Sequence, residues 1–186
     1  MTVTPLDPKA ALIAVDLQKG IVSLPAVHPM DGVVKHVRAL LEAFRGHGLP
    51  VALVNVAGSA PGRTEQPRGQ RDLPAGRTDL IPELKRQPQD HAVTKHTPGA
   101  FIGTGLDAHL RALGVTQIVI VGIATSNGAE VTALRAHELG FNVTVATDAM
   151  SDSNADAHTY SVTHVFPRIG ETGTTQEIVN LLKRSA

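Results

Sequence analysis

The apolar residues of this chain fall in short continuous runs, and one of these runs leaves no polar face. Residues 118–121 are four β-branched residues in succession, within a predicted strand over residues 117–122. Such a run is typical of a strand that is covered on both faces, which is the usual position of strands in a parallel sheet. We therefore predict a parallel sheet, with a tight turn after this strand and a helix that opens near Asn127.

Three segments repeat one order of residues, in which a helix-ending glycine is followed at once by an apolar strand. The segments are 48–55, 114–122 and 140–148. Short turns of this kind join helices to strands in successive right-handed βαβ units. The pattern predicts an α/β fold, and the length of 186 residues favours one domain over residues 1–186.

The remaining elements follow from shorter patterns. We predict strands over residues 10–15, 91–95 and 165–167, the last of them an edge strand because it contains a proline. A stripe of apolar residues predicts a helix up to Gly48, and Thr174 or Thr175 is expected to cap a C-terminal helix. The helical stripes are Val33, Val37, Leu40, Leu41 and Phe44, then Leu106, Leu110 and Leu113, then residues 129–139, then Ile178, Leu181 and Leu182.

Residues 57–89 form a long segment rich in Pro, Gly and Arg, with one short helical candidate at residues 80–84. Loops of this length in a compact domain are often lids or binding loops. Any one of its arginines is best interpreted as a solvated surface residue. As a set, one or two of them are expected to bind a substrate carboxylate through the guanidinium group. The set is Arg63, Arg68, Arg71, Arg77 and Arg86.

The composition excludes several classes of function. Lys plus Arg equals Asp plus Glu at 17 each, and aromatic residues make up only 3% of the chain, so a nucleic-acid partner is not expected. No apolar run approaches the ~20 residues of a membrane span, and no secretory leader is recognisable, so we expect a cytoplasmic protein without a membrane partner. Because the chain has no Cys, disulfides and a thiol nucleophile are excluded.

Polar side chains follow the predicted strands at one edge of the sheet. Asp16, Asn55, Lys95 and Asp148 stand at carboxyl ends of presumed parallel strands, beside the turn 122–128. Ligands of open α/β sheets bind at this edge. Two interpretations of Asp16 are open: a carboxylate that hydrogen-bonds the following turn, or an acid whose pKa burial raises so that it can transfer a proton.

Four motifs, in this order and spacing, resemble the isochorismatase-like hydrolase family, also called cysteine hydrolases. They are Ala-Leu-Ile-Ala-Val-Asp16-Leu-Gln18, Thr-Lys95-His-Thr-Pro-Gly-Ala-Phe101, Val-Ile-Val-Gly122-Ile-Ala-Thr125-Ser-Asn-Gly128-Ala-Glu-Val-Thr132 and Asp148-Ala-Met. The resemblance implies a three-layer α/β/α fold with a doubly wound, mostly parallel sheet of about six strands. It also implies a cis peptide before Ala124 and a homo-oligomer.

The resemblance also implies the site residues. Asp16 matches the acid and Lys95 the lysine of a catalytic triad, while Gly128 stands where most members have the cysteine. We expect Ile123, Ala124, Thr125, Asn127, Phe101 and Asn55 to bind substrate. The metal site of nicotinamidases has no match in residues 55–58, so we expect no metal, and we expect no cofactor.

The glycine at position 128 changes the expected chemistry, because an acyl-thioester route needs a thiolate. Isochorismatases of the family also have glycine here and hydrolyse a vinyl ether with the aspartate as proton donor. The resemblance therefore implies acid-catalysed hydrolysis of a vinyl ether or another small anionic substrate. The turn departs from that branch, which has Tyr-Ala-His where this chain has Ala124-Thr125-Ser126, so the substrate stays open.

Two other functions remain under consideration. The chain could be a catalytically inactive relative that binds a small molecule or acts as a scaffold, since it lacks the family's nucleophile. It could also be a serine hydrolase using Ser126, because residues 124–128 resemble a nucleophile elbow that directly follows a strand. Asp148 or Asp152 would then be the acid and His158 or His164 the base. Of the nine histidines, His96 and His158 are expected near the site, and His36 and His47 receive no role.

Overall fold

The sheet of this protein has six strands, all parallel; numbered β1 to β6 along the chain, they lie in the sheet in the order β3-β2-β1-β4-β5-β6. The structure is a computed structural model that describes residues 3–65 and 75–184. The predicted fold class is confirmed, including the doubly wound parallel sheet. The strands are β1 Ala10–Val15, β2 Val51–Val56, β3 His91–Lys95, β4 Gln117–Ile123, β5 Asn142–Ser151 and β6 Glu171–Gly173.

Helices cover both faces of the sheet. On one face, α2 (Met30–Gly46) and α7 (Thr175–Arg184) pack apolar residues such as Leu40 and Ile178 against the strands. On the other face, α3 (Leu106–Ala112) and α4 (Glu130–Glu138) contribute residues such as Leu110 and Ala133. The helices are α1 Lys19–Val22, α2 Met30–Gly46, α3 Leu106–Ala112, α4 Glu130–Glu138, α5 Ala155–Tyr160, α6 Phe166–Ile169 and α7 Thr175–Arg184, with a 3₁₀ turn at Pro82–Leu84 and π-helical turns at Thr125–Ala129 and Ser161–Val165.

The two central strands, β1 and β4, meet where the strand order reverses. All residues of both strands are buried, as the run of β-branched residues in β4 predicts. Their register pairs Val15 with Gly122. Gly122 has φ of +116°, and a β-carbon there would lie 2.1 Å from the Val15 carbonyl oxygen, so only glycine allows the strands this close an approach. The segments that follow Val15 and Ile123 therefore lie side by side at the carboxyl edge of the sheet, where open α/β sheets bind ligands.

The predicted edge strand at residues 165–167 is wrong, because this segment is helical. Phe166 begins α6 and is fully buried, and α6 directly continues the π-helical turn at Ser161–Val165. The edge strand is instead Glu171–Gly173, which is too short and polar to show a period of two.

The fifth strand is longer than predicted. It continues past Asp148 to Ser151, and its pairing with β4 shifts: Ile120 pairs with Val145, whereas Gly122 pairs with Met150. The extra residues of β5 bulge out of the ladder, and Asp148 lies in that bulge. At the end of the chain, Thr174 caps α7, since it exchanges hydrogen bonds with Glu177.

Within the described ranges, no helix combines the length and apolar character needed to cross a membrane.

Candidate active site

Asp16 and Lys95 form a buried ion pair at the carboxyl edge of the sheet. Lys95 Nζ lies 2.8 Å from Asp16 Oδ2, and the side chains are 1% and 7% exposed. Lys95 Nζ also donates to the carbonyl oxygen of Pro98. Asp16 has φ of 55°, a region that residues other than glycine seldom adopt and that is over-represented at functional sites. Its N–H donates to the Val54 carbonyl, which fixes the chain where β1 ends.

The environment of Asp16 allows its carboxyl group to keep a proton to a higher pH than is usual for an aspartate. Burial raises its pKa from 3.8 to about 6, although the charge and the hydrogen bond of Lys95 act in the opposite direction. Its Oδ1 atom is buried and has no hydrogen-bond partner among the described residues. A buried oxygen without a partner is costly unless it is protonated or meets a ligand. Asp16 thus has one oxygen held by Lys95 and one free for chemistry.

Gly128 lies directly over this pair. A β-carbon placed on Gly128 would be 3.0 Å from Asp16 Oδ2, 3.1 Å from the Ile123 carbonyl oxygen and 3.1 Å from Val15 Cγ1. Any side chain at position 128 would therefore project into the space beside Asp16. The structure thus brings together the three residues that the motifs single out as catalytic. Glycine at this position avoids that crowding.

The turn that carries Gly128 has the cis peptide that the resemblance implies, between Ile123 and Ala124. Ile123 is buried, Ala124 is half-buried and Asn127 is exposed. Thr125 is fully buried, and its hydroxyl donates to the Ser151 carbonyl oxygen at 3.0 Å. The hydroxyl of Thr125 is therefore engaged within the protein, and a role of Thr125 in substrate binding stays a prediction.

Asn55 and Phe101, the other predicted substrate-binding residues, have structural partners. Asn55 Nδ2 donates to the Thr78 carbonyl at 3.0 Å, and its Oδ1 accepts from the Thr94 hydroxyl at 2.8 Å. Phe101 is buried and its ring stacks on Phe141 with centroids 6.2 Å apart. Phe101 also lines an apolar groove of about 350 Å³ between the 97–102 loop and α4, whose lining does not include Asp16, Lys95 or Gly128.

Asp148 does not join the strand-end cluster, contrary to the prediction. Its Oδ1 accepts from the Thr175 N–H at 2.7 Å and from the Thr175 hydroxyl at 2.8 Å, so it holds the start of α7. The bulge in β5 is the reason, because it removes Asp148 from the regular ladder. His36, which was given no role, donates from Nδ1 to the Asp148 carbonyl oxygen at 2.7 Å.

The arginines of the long segment separate into three groups. Arg68 and Arg71 lie outside the described residues. Arg63 and Arg86 are exposed. Arg77 packs over α1, with Nη2 donating to the Gly20 carbonyl oxygen at 3.1 Å.

Gln18 is the last residue of the motif that contains Asp16, and its side chain connects the segments around the site, although the sequence analysis assigns it no role. It is 2% exposed, its Oε1 accepts from the Val56 N–H at 2.7 Å, and its Nε2 donates to the carbonyl oxygens of Val56 and Arg77. It thereby joins the chain after β1 to the end of β2 and to residue 77. The signal available in the sequence was a glutamine two residues after the candidate acid, because an amide group that becomes buried needs hydrogen-bond partners.

Ser126 and the histidines are not arranged as a serine-hydrolase triad. The Ser126 hydroxyl and N–H both donate to Asp152 Oδ2 at 2.8 Å. Burial would raise the pKa of Asp152, but the hydrogen bonds from Ser126 and Asn154 outweigh it and hold the pKa below its usual value. His158 contacts Thr125 instead, and His164 contacts Thr163. His96 packs against Gly58.

In the parts of the chain that the structure describes, no three His, Asp or Glu side chains are grouped so that they could hold a metal ion.

The fold is that of a doubly wound α/β protein, and its candidate site lies at the carboxyl ends of the strands. A model of the isochorismatase domain matches residues 10–177. YwoC of Bacillus subtilis strain 168, an uncharacterized isochorismatase family protein, is 38% identical over 182 residues, which cover 94% of this chain and 95% of that protein. YecD of Escherichia coli O157:H7, described in the same words, is 38% identical over 181 residues, or 92% and 95% of the two chains.

A solved structure agrees with this relationship. The structure of an isochorismatase family protein from Burkholderia thailandensis is 41% identical, covers 96% of this chain and 98% of its own, and superimposes with a TM-score of 0.92. The chain belongs to the isochorismatase family, and the resemblance read from its motifs is confirmed.

Proposed function

We propose that this protein is a hydrolase that works without a thiol and uses Asp16 to protonate a vinyl ether in a small anionic substrate of the isochorismate type. The observation that supports this most is the state of Asp16: a buried carboxyl group with a pKa of about 6 and an unpaired Oδ1. A general acid is most effective when its pKa lies near the working pH. Glycine at position 128 places no side chain against this acid, and the chain has no cysteine to form a thioester.

The reaction needs an acid and water but no nucleophilic side chain. Asp16 gives its proton to the methylene carbon of the enolpyruvyl group, which becomes an oxocarbenium ion. Water adds to the neighbouring carbon, which bears the ether oxygen and carries the positive charge, and one proton of that water returns to Asp16. The bond between this carbon and the ether oxygen of the hemiketal then breaks, the hemiketal hydroxyl proton passes to the ether oxygen, and an alcohol and pyruvate are the products.

Lys95 supports the same step by stabilising the carboxylate that remains after Asp16 has given up its proton. The ammonium group is already 2.8 Å from Oδ2, so no rearrangement is needed when the charge develops. Its positive charge also favours an anionic substrate such as an enolpyruvyl carboxylate.

The proposal is tested by measuring pyruvate release from enolpyruvyl ethers such as isochorismate, beside a panel of amides. We expect pyruvate release by the wild type, and its loss in Asp16→Asn. Turnover of amides without pyruvate release would overturn the mechanism.

The second candidate is a catalytically inactive relative that binds a small anion, and the glycine at position 128 is the observation that favours it. A buried ion pair that serves no function is costly, which supports catalysis over binding alone. The Asp16→Asn variant separates the two: an enzyme loses turnover and keeps ligand affinity, whereas a binding protein has no turnover to lose and changes in affinity alone.

A further inference from the structure

The hydroxyl of Thr125 lies between two groups and can donate to only one of them. It is 3.0 Å from the Ser151 carbonyl oxygen and 2.9 Å from His158 Nδ1. A carbonyl oxygen only accepts, so the hydroxyl proton goes to Ser151. Thr125 must then accept from His158, whose Nδ1 has to carry a proton. The opposite arrangement would leave two buried oxygens 3.0 Å apart without a proton between them, which is unfavourable.

The surroundings of His158 keep its ring neutral, so that the position of its single proton matters. The His158 ring meets His28 edge to face, with centroids 4.7 Å apart. Burial and the neighbouring His28 lower the pKa of His158, while Asp152 acts in the opposite direction. A neutral imidazole carries one N–H, and hydrogen bonding decides which nitrogen has it.

The segment held by this contact is the one that covers Asp16. The Thr125 hydroxyl ties the turn to the end of β5, and Ser126 is tied to Asp152 in the same way. Three residues further on, the β-position of Gly128 is 3.0 Å from Asp16 Oδ2. A turn that loses its attachment at Thr125 would change this spacing. A misplacement of about 1 Å in a catalytic site can cost ~100-fold in rate.

We propose that His158 is a positioning residue. Its Nδ1–H donates to the Thr125 hydroxyl, which donates to the Ser151 carbonyl oxygen, and these two hydrogen bonds hold the 123–128 turn over Asp16. The inference rests on the proposed function only where turnover is measured. The tautomer of His158 and the placement of the turn are properties of the protein without substrate.

The first test uses the unmodified protein. In ¹⁵N NMR spectra at neutral pH, His158 is expected as a neutral ring protonated at Nδ1, the less common tautomer of a free imidazole. A ring protonated at Nε2 overturns the proposal, whatever the enzyme does with any substrate. This measurement needs no variant, so a folding defect cannot obscure it.

The second test uses matched variants. In His158→Asn the amide nitrogen takes the place of Nδ1 and keeps the donor, whereas in His158→Gln the amide nitrogen lies nearer the position of Nε2. The pKa of Asp16, followed by ¹³C NMR of its carboxyl carbon, is expected to stay within ~0.3 units of wild type in the Asn variant and to move further in the Gln variant. Equal values in the two variants would refute the positioning role.

Turnover provides a third readout. If the wild type releases pyruvate, we expect kcat to fall ~10- to 100-fold in His158→Gln at little changed KM, with recovery in His158→Asn. A wild type without pyruvate release contradicts the proposed function alone, since the tautomer and the Asp16 titration still decide the role of His158. Equal loss in both variants, with both folded, would contradict the positioning role.

Discussion

Lys95 Nζ lies 2.8 Å from Asp16 Oδ2 although the two residues end strands that are not neighbours in the sheet. Strand β2 lies between β1 and β3, so the side chains meet across two strand spacings of about 4.8 Å each. Only a long side chain can cover this distance. The lysine stem runs through the interior and its ammonium group is almost fully buried. The pair therefore depends on the strand order as well as on the two residue types.

The first prediction concerns the pH dependence of turnover. Because Asp16 donates a proton, only its protonated form is active, and burial raises its pKa to about 6. We expect kcat/KM for pyruvate release to fall about tenfold per pH unit above this value. The measurement is a pH–rate profile between pH 5 and 8, as far as the protein stays folded. A profile that rises with pH through this range would contradict the role of Asp16 as an acid.

The second prediction concerns stability, because the same pKa shift links folding to pH. Folding raises the pKa of Asp16 from 3.8 to about 6, so the folded protein binds more protons than the unfolded chain between these values. The free energy of unfolding therefore decreases as pH rises through this window, by about 3 kcal/mol at most from this group. Below the window this contribution is fully present.

The Asp16→Asn variant isolates that contribution. The free energy of unfolding is measured by urea titrations at pH 4, 5, 6 and 7. In the variant we expect no decrease that is due to residue 16 as pH rises. The stability of the variant relative to the wild type should therefore increase with pH. Parallel curves for the two proteins would show that the pKa of Asp16 is not raised in the folded state.

The pairing of Asp16 with Lys95 could be predicted from sequence because strand ends are easily recognised. A buried parallel strand is a continuous apolar run, so the first polar residue after it marks the carboxyl edge. Asp16 is such a residue, Lys95 is the last residue of the short strand β3, and the shared edge of the sheet brings the two together. The same rule failed for Asp148, because a bulge changes the register without changing the apolar pattern. Bulges depend on pairing with a neighbour, which a local pattern does not contain.

The contact between Thr125 and His158 could not be predicted from the sequence, for a related reason. The residues are separated by 33 positions and belong to a turn and to α5, so no local period connects them. Sequence reasoning placed His158 near the site from chain order alone. Which hydroxyl it binds depends on how α5 packs against the turn. The helical state of residues 165–169 was missed likewise, since the burial of Phe166 is a tertiary effect.

The third prediction concerns Lys95→Met, which keeps the length of the side chain and removes its charge. Both effects that lower the pKa of Asp16 come from Lys95, so the Asp16 pKa is expected to rise above about 6 in this variant. Breaking a buried pair typically costs about 3–5 kcal/mol. The loss of folding stability in Lys95→Met is expected to be smaller at pH 5, because Asp16 is already mostly protonated there in the wild type and attracts the ammonium group less.

The control for this variant is Lys19→Met. Lys19 pairs with Asp79 at 3.0 Å, but both side chains are 55% exposed, so the expected loss is below about 1 kcal/mol. Urea unfolding at pH 5 and pH 8, with a ¹³C titration of Asp16, measures both effects. Equal losses in the two variants, or an unchanged pKa, would show that Lys95 does not act on Asp16 as described.

The fourth prediction concerns the space over Asp16. Gly128→Ala adds a β-carbon about 3 Å from Asp16 Oδ2 and the Ile123 carbonyl oxygen, which is tighter than ordinary contact. Crowding of this kind typically costs about 1–3 kcal/mol of stability. It also fills the space that the proposed substrate needs, so we expect pyruvate release to fall at least ~10-fold. Unfolding curves and kcat/KM measure the two effects, and full activity in Gly128→Ala would show that substrate does not use this space.

Gly128→Cys has the same β-carbon and adds a thiol next to the Asp16–Lys95 pair, so comparison with Gly128→Ala separates crowding from new reactivity. The chain has no other cysteine, and Ser59→Cys provides a single exposed thiol as reference. Because a neighbouring ammonium group favours the thiolate, we expect Cys at position 128 to be alkylated by iodoacetamide faster than Cys at position 59 at pH 6. Slower alkylation at position 128 would mean that the pair is closed to small molecules or that the Asp16 charge dominates there. Pyruvate release should be equally low in both Gly128 variants, since the β-carbon they share, and not the sulfur, occupies the space beside the acid.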